Sequence, residues 1–240
     1  MAKLTRLILL FASFVVGSVC VARPLDDSWK LAGEVDGIKV YGKPISEGGV
    51  TEFRSKAIVQ ADLVTTAATL MDGTNFSKWV DGCLESKEVD RNILFDPKAP
   101  LAGQYNVIYG VNAAPWPLSN RDFTVRAVMN LEKEAQSGNP VISFTGSAVD
   151  AKVPLNPDYV RVTTMVVNIN LTPAPGDANA TEVDFGLGFD GKVSGPKSVQ
   201  EVIAVQSPPK SLQRLKKFMQ APHFDPKLVE TLKQRIGLLK

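Results

Sequence analysis

Two arginines sit where apolar side chains are expected. Arg121 opens a segment in which Phe123, Val125, Ala127, Met129 and Leu131 occupy alternate positions. Arg161 stands in a second stripe with Tyr159, Thr163, Met165, Val167, Ile169 and Leu171. Alternate residues of a strand share one face, so each guanidinium is placed on a largely apolar side of a sheet. A charge taken out of water is costly unless it is paired. Two readings follow. In the first, an arginine faces a cavity and meets the polar head of a ligand through charge-assisted hydrogen bonds. Arg161 is the first candidate, being deeper in its stripe, and Arg121 the second. In the other, the arginine reaches solvent from a strand end or pairs with a structural carboxylate such as Asp122 or Glu182.

Other chemistry is poorly supplied. The one histidine, His223, lies in the proline-rich run Ala221-Pro222-His223-Phe224-Asp225-Pro226. A Ser-His-Asp or Cys-His arrangement would have to use it there. The two cysteines are Cys20 and Cys83; Cys83 reads as a small, partly buried residue rather than a nucleophile. No zinc site of ordinary composition can be assembled from this set, and no Asp-x-Asp-x-Asp-Gly calcium loop occurs. The expectation is no catalytic residue, no metal and no cofactor. Gly186-Leu187-Gly188-Phe189-Asp190-Gly191 fits the G-x-G-x-x-G pattern, which needs a strand feeding directly into a helix. Here it falls inside and just after a late strand, so the glycines read as relief for a bulge or a tight bend.

The elements that position these residues are mostly strands. Segments 37–43, 51–60, 83–90, 92–95, 104–111, 121–131, 140–149, 159–171 and 181–189 alternate or carry strand composition, with turn chemistry between them. Residues 61–71 show apolar positions at helical spacing, with Asp62 near the start. Ser198–Gln206 and Ser211–Gln220 do the same; Pro208-Pro209 either kinks one long helix or restarts it. A last short helix is expected at about 226–238. This order predicts an α+β domain with a curved antiparallel sheet wrapped around a long C-terminal helix. The stripe Tyr105, Val107, Tyr109, Val111 and the stripe Val183, Phe185, Leu187, Phe189 would join those of Arg121 and Arg161 in one concave wall. Tyr105, Tyr109, Phe123, Phe144, Met165 and Phe185 are its candidate lining, and Val199, Val202 and Ile203 a candidate lid.

The first 22 residues read as a signal peptide: Lys3 and Arg6 precede the apolar run Leu7–Val16, and Cys20-Val21-Ala22 offers small residues for cleavage. The stretch Leu7–Val21 is shorter than the ~20 residues of a spanning helix, so export is favoured over an anchor. The chain holds 27 basic and 25 acidic residues. Removing Lys3 and Arg6 brings the two signs level, which argues against gripping nucleic acid or an anionic bilayer by overall field.

The run Pro115-Trp116-Pro117-Leu118-Ser119-Asn120-Arg121-Asp122 resembles the Pro-Trp-Pro-x-x-x-Arg-Asp signature of START domains, lipid- and sterol-binding modules of helix-grip fold. Gly37-Ile38-Lys39-Val40-Tyr41 with Glu52-Phe53-Arg54, Asp72 to Trp79, Tyr159-Val160-Arg161 and Pro209 to Leu215 resemble further parts of that family in the expected order. In one place the chain departs. Where the family often has Asp-Pro-Gly-Gly and then Pro-x-Trp, it has Asp190-Gly191-Lys192-Val193-Ser194-Gly195-Pro196-Lys197-Ser198. The resemblance implies a START-like domain over 23–220 with a C-terminal helical extension over 221–240. It implies a lipid, fatty acid or sterol-like ligand in an internal cavity, held by a monomeric, non-enzymatic carrier or sensor that touches a membrane transiently. Two alternatives are a cyclase- or aromatase-like enzyme, with Asp122 in place of a histidine, and an interaction module whose cavity is filled. The leader and the lack of disulfides fit a bacterial periplasm best.

Overall fold

The chain enters the sheet earlier than its composition suggests. In the computed structural model, β1 (Lys30–Val35) and β2 (Ile38–Pro44) form a hairpin around Asp36 and Gly37, whose φ angles are 49° and 78°. Such a two-residue turn matches the twist of the strands it joins. The structure describes residues 25–45, 50–134, 137–192 and 197–239, with the side chains of 197–203 excepted. The expected leader and the lid residues Val199, Val202 and Ile203 thus lie outside the described residues or side chains.

Eight further strands follow: β3 (Thr51–Val59), β4 (Cys83–Asn92), β5 (Tyr105–Asn112), β6 (Arg121–Lys133), β7 (Pro140–Ala148), β8 (Val160–Val162), β9 (Met165–Ala174) and β10 (Asp177–Phe189). Nine strands pair in the order β1-β2-β3-β10-β9-β7-β6-β5-β4, all antiparallel, and short β8 runs parallel to the start of β6. Between β3 and β4 lie α1 (Leu63–Met71), one 3-10 turn and α2 (Phe76–Trp79). The side chain of Asp62 caps α1 by accepting from the Val64 and Thr65 amides, both at 3.0 Å, which satisfies two of the donors a helix start leaves open.

The long helix α3 (Lys197–Phe218) continues through Pro208 and Pro209 instead of restarting. Each proline removes a helical hydrogen bond, a cost of about 3 kcal/mol in a helix interior. Leu212 and Leu215 of its C-terminal half, with Met219 just past its end, are buried in the same core as Phe185 and Leu187 and oppose that cost. A final helix, α4 (Pro226–Leu238), is capped by Asp225 and buries Leu228 and Leu232. The architecture is the expected α+β helix grip.

Pairing fixes which side chains face α3. Cross-strand partners share a face, and one row runs Asn106, Ala127, Gly146, Val167, Leu187, Phe53. The next runs Met129, Phe144, Ile169, Phe185, Ser55. On β5 the inner residues are therefore Asn106, Ile108, Gly110 and Asn112, not the tyrosine stripe. Gly110 is inner because the Phe123 ring lies across it; a Cβ there would overlap that ring. A second correction concerns 159–171. The strand breaks at Thr163-Thr164, so Val160 and Val162 share the inner face with Met165 while Arg161 points outward. Gly186, read above as bulge relief, sits in unbroken pairing; its missing Cβ leaves room for the Glu52 carboxylate of β3.

Candidate functional site

A cavity of about 140 Å³ opens at the end of the sheet where β5 stops and β6 starts. Ala114, Pro115 and Leu118 form one wall, Phe123, Met165 and Phe189 another, and Ser207 of α3 closes a third side. Its deep end is sealed by aromatic rings in edge contact. Phe76 meets Phe123 at 5.9 Å and Trp79 at 5.5 Å, and Trp79 meets Phe185 at 5.3 Å.

One pole of this apolar space is polar. Arg121 lines it and is only 8% exposed. Its Nε donates to the Gly191 carbonyl at 3.1 Å and its Nη1 to the Ser119 carbonyl. Both partners are neutral, and among the described residues no carboxylate pairs with it. Burial accordingly draws its pKa below the ordinary arginine value. Beside it on the paired strand is Asn112, whose Oδ1 is buried and without a hydrogen-bond partner. The pole can thus donate from a buried cation and accept at an amide oxygen. Asp81 lies at the same edge, its amide receiving no help from the sheet but donating to Ser211 Oγ at 2.9 Å.

No family model matches the chain. An uncharacterized protein of Pseudomonas aeruginosa is 26% identical over 192 residues, covering 80% of this chain and 87% of that one. The crystal structure of a STAR-related lipid transfer protein from Xanthomonas axonopodis superposes with a TM-score of 0.63 at 26% identity, covering 81% of this chain and 99% of that one. The fold is that of a START domain. Human StAR-related lipid transfer protein 5 shares it, with a TM-score of 0.66 at 20% identity over 81% of this chain and 87% of that one.

Within the START fold, the residues singled out from sequence separate into groups. Arg121, Phe123 and Met165 line the 140 Å³ cavity together. Phe185 lies deeper, in the aromatic seal. Tyr105 and Phe144 border a smaller void of about 40 Å³ beneath α1. Tyr109 faces outward with Lys87 Nζ 4.9 Å from its ring centre, and burial, then Asp122, raises its pKa. The Tyr105 hydroxyl also turns away, donating to Asp90 at 2.9 Å.

Arg161 takes the alternative left open for it. Its Nε donates to Asp122 Oδ1 at 2.9 Å and its Nη2 to Oδ2 at 2.8 Å, a bidentate pair on the outer face. That hydrogen bonding raises its pKa. The same guanidinium reaches the carbonyls of Val153 and Pro154, at 3.4 and 3.3 Å, and so ties down the loop before β8.

Asn112, Val162 and Phe189 complete the cavity. Phe189 was in a recognised stripe, whereas Asn112 lies one residue past the expected end of its strand, 104–111. The chemistry the sequence set aside is also placed. His223 is exposed, 3.4 Å from Asp72, on the far side of α1. There a cleft of about 160 Å³ is bordered by Asp72, Glu88, Arg91 and Asp225, with Glu88 and Arg91 paired at 3.5 Å. Cys83 is buried, and desolvation pushes its thiol up to about 12, which makes it a poor nucleophile.

Proposed function

We propose that this protein is an exported, non-enzymatic carrier or sensor that holds one amphipathic, lipid-like molecule with its head at Arg121 and its tail along Phe123, Met165 and Phe189. The observation that carries this reading is a buried cation that faces a largely apolar cavity and is paired, among the described residues, with no carboxylate. A ligand head with an acceptor oxygen compensates that charge, while each buried tail methylene contributes about 0.8 kcal/mol. The lipid-transfer names of the solved START domains support the same ligand class. Asp122 and His223, the acid–base candidates taken from the sequence, both lie outside the cavity, which favours a carrier over an enzyme.

A void near 140 Å³ is about the size that accepts one benzene ring in an engineered core, and well below the roughly 300–1,000 Å³ of drug-sized pockets. A full lipid tail therefore requires α3 to lift. The helix is weakest at Pro208-Pro209, directly after the cavity residue Ser207.

Native mass spectrometry of protein taken from its own compartment is expected to show one bound lipid-like molecule. In solution the protein takes up pyrene-decanoate. Met165→Gln places an amide in the apolar wall and weakens uptake by about tenfold. Arg121→Gln weakens pyrene-decanoate but leaves its methyl ester less affected. A wild-type protein with no bound ligand and no uptake would sink the reading.

A further inference from the structure

The polar pole of the cavity asks for more than an anion. Asn112 stands directly across the ladder from Arg121 and lines the same space. Its Oδ1 is buried and, among the described residues, has no hydrogen-bond partner. The donors around it are already engaged. Ala113 N–H donates to Gly82 O at 2.8 Å and Ala114 N–H to Asn120 Oδ1 at 3.2 Å. Arg121 gives its Nε to Gly191 O and its Nη1 to Ser119 O. The guanidinium also decides which end of the amide matters. Side-chain dipoles orient in the local field, so a neighbouring cation turns the oxygen of Asn112 toward the pole rather than its NH2. A buried acceptor left open is costly, and native structures keep few of them.

The helix side adds a second acceptor. Ser207 lines the cavity, and Ala204, three residues earlier and buried, shares its face of α3. In an unbroken helix the Ala204 carbonyl would accept from the amide of residue 208, but Pro208 has no N–H to give. A plain carboxylate satisfies Arg121 and offers nothing to these oxygens, because an ionised acid only accepts.

We propose that the cavity selects a fatty acid hydroxylated close to its carboxyl group, at carbon 3, with the carboxylate at Arg121 and the hydroxyl donating to Asn112 Oδ1. The inference rests on the carrier reading and names its ligand class. Directly opposed residues of an antiparallel pair have Cβ atoms about 5 Å apart, so the two polar groups of the ligand lie within a few bonds of each other. A hydroxyl on carbon 3 meets that span. One far down the chain would fall instead among Phe123, Met165 and Phe189, where no acceptor side chain is offered. Arg121 anchors the acid, and Asn112 is the specificity-determining residue.

Calorimetric titration of the full chain with decanoate, 3-hydroxydecanoate and 3-methoxydecanoate tests this. Apolar transfer alone makes the hydroxylated acid a weaker ligand than decanoate. The expected result has the opposite sign: 3-hydroxydecanoate binds roughly tenfold tighter. The methoxy acid keeps the oxygen but loses the donor, and is expected to bind no better than decanoate. In Asn112→Leu, decanoate binding is retained and the advantage of 3-hydroxydecanoate disappears. Wild-type protein that binds the two acids equally, or prefers decanoate, overturns the proposal and leaves the carrier reading standing. A methoxy acid as tight as the hydroxy acid also overturns it, because Asn112 would then be donating. So does an Asn112→Leu protein that keeps the preference. If that variant fails to fold, as read by circular dichroism, the three acids on the wild type decide alone. Binding of none of them strikes the carrier reading, and this one with it.

Discussion

Asp122→Ala is expected to destabilise the domain by about 3–5 kcal/mol, a large share of the 5–15 kcal/mol that holds a typical domain folded. Asp122 is 1% exposed and gives both carboxylate oxygens to Arg161. Removing it leaves a mostly buried guanidinium with only backbone carbonyls for partners. The urea midpoint reads the loss directly. Because the damage is the orphaned charge, Asp122→Ala with Arg161→Ala should cost less than the sum of the two single changes. Additive losses would mean that the pair contributes little and that each residue acts through packing alone. The prediction also separates two roles for Asp122. A catalytic carboxylate would lose turnover without losing stability; this one is expected to do the reverse.

The second large effect is at Trp79. It is buried, and its ring joins Phe76 on one side to Phe185 on the other. Trp79→Ala is expected to lower stability by about 3–5 kcal/mol through lost transfer energy and the void left behind. That void adjoins Phe76, which touches the cavity residue Phe123. The variant should therefore accept bulkier ligands, and pyrene-decanoate should raise its melting temperature more than that of the wild type. Calorimetry with and without the ligand checks both halves. A Trp79→Ala protein that loses stability but gains nothing on loading would mean that the new space is cut off from the cavity.

Element positions were legible from sequence because alternation and turn chemistry mark them locally; which face a strand presents was less so. On β5 two tyrosines and two valines occupy the odd positions, and ordinary burial logic sends them inward. They go outward because the Phe123 ring needs the space above Gly110, a contact between strands that no single segment displays. For Arg161 the obstacle was a break at Thr163-Thr164, which shifts the phase by one residue within what reads as one strand. Arg121, Phe123 and Met165 came together as a wall because β6 and β9 keep their phase from end to end. Asn112 stayed hidden because the alternating segment reads as ending at Val111, one residue short of it. The strand β1 was missed because Lys30–Val35 is largely exposed at the sheet edge and carries little apolar signal.

The ring of Phe123 resting on Gly110 has an evolutionary consequence. The two positions form one unit of variation, thirteen residues apart in the chain but directly opposed in the sheet. A lineage that keeps phenylalanine at 123 cannot accept even a methyl group at 110, whereas one that shrinks 123 frees 110 and widens the vessel at the same stroke. Aligned relatives should therefore fall into two groups at this pair, with mixed combinations rare. Which group a relative joins would forecast the girth of the molecule it can hold.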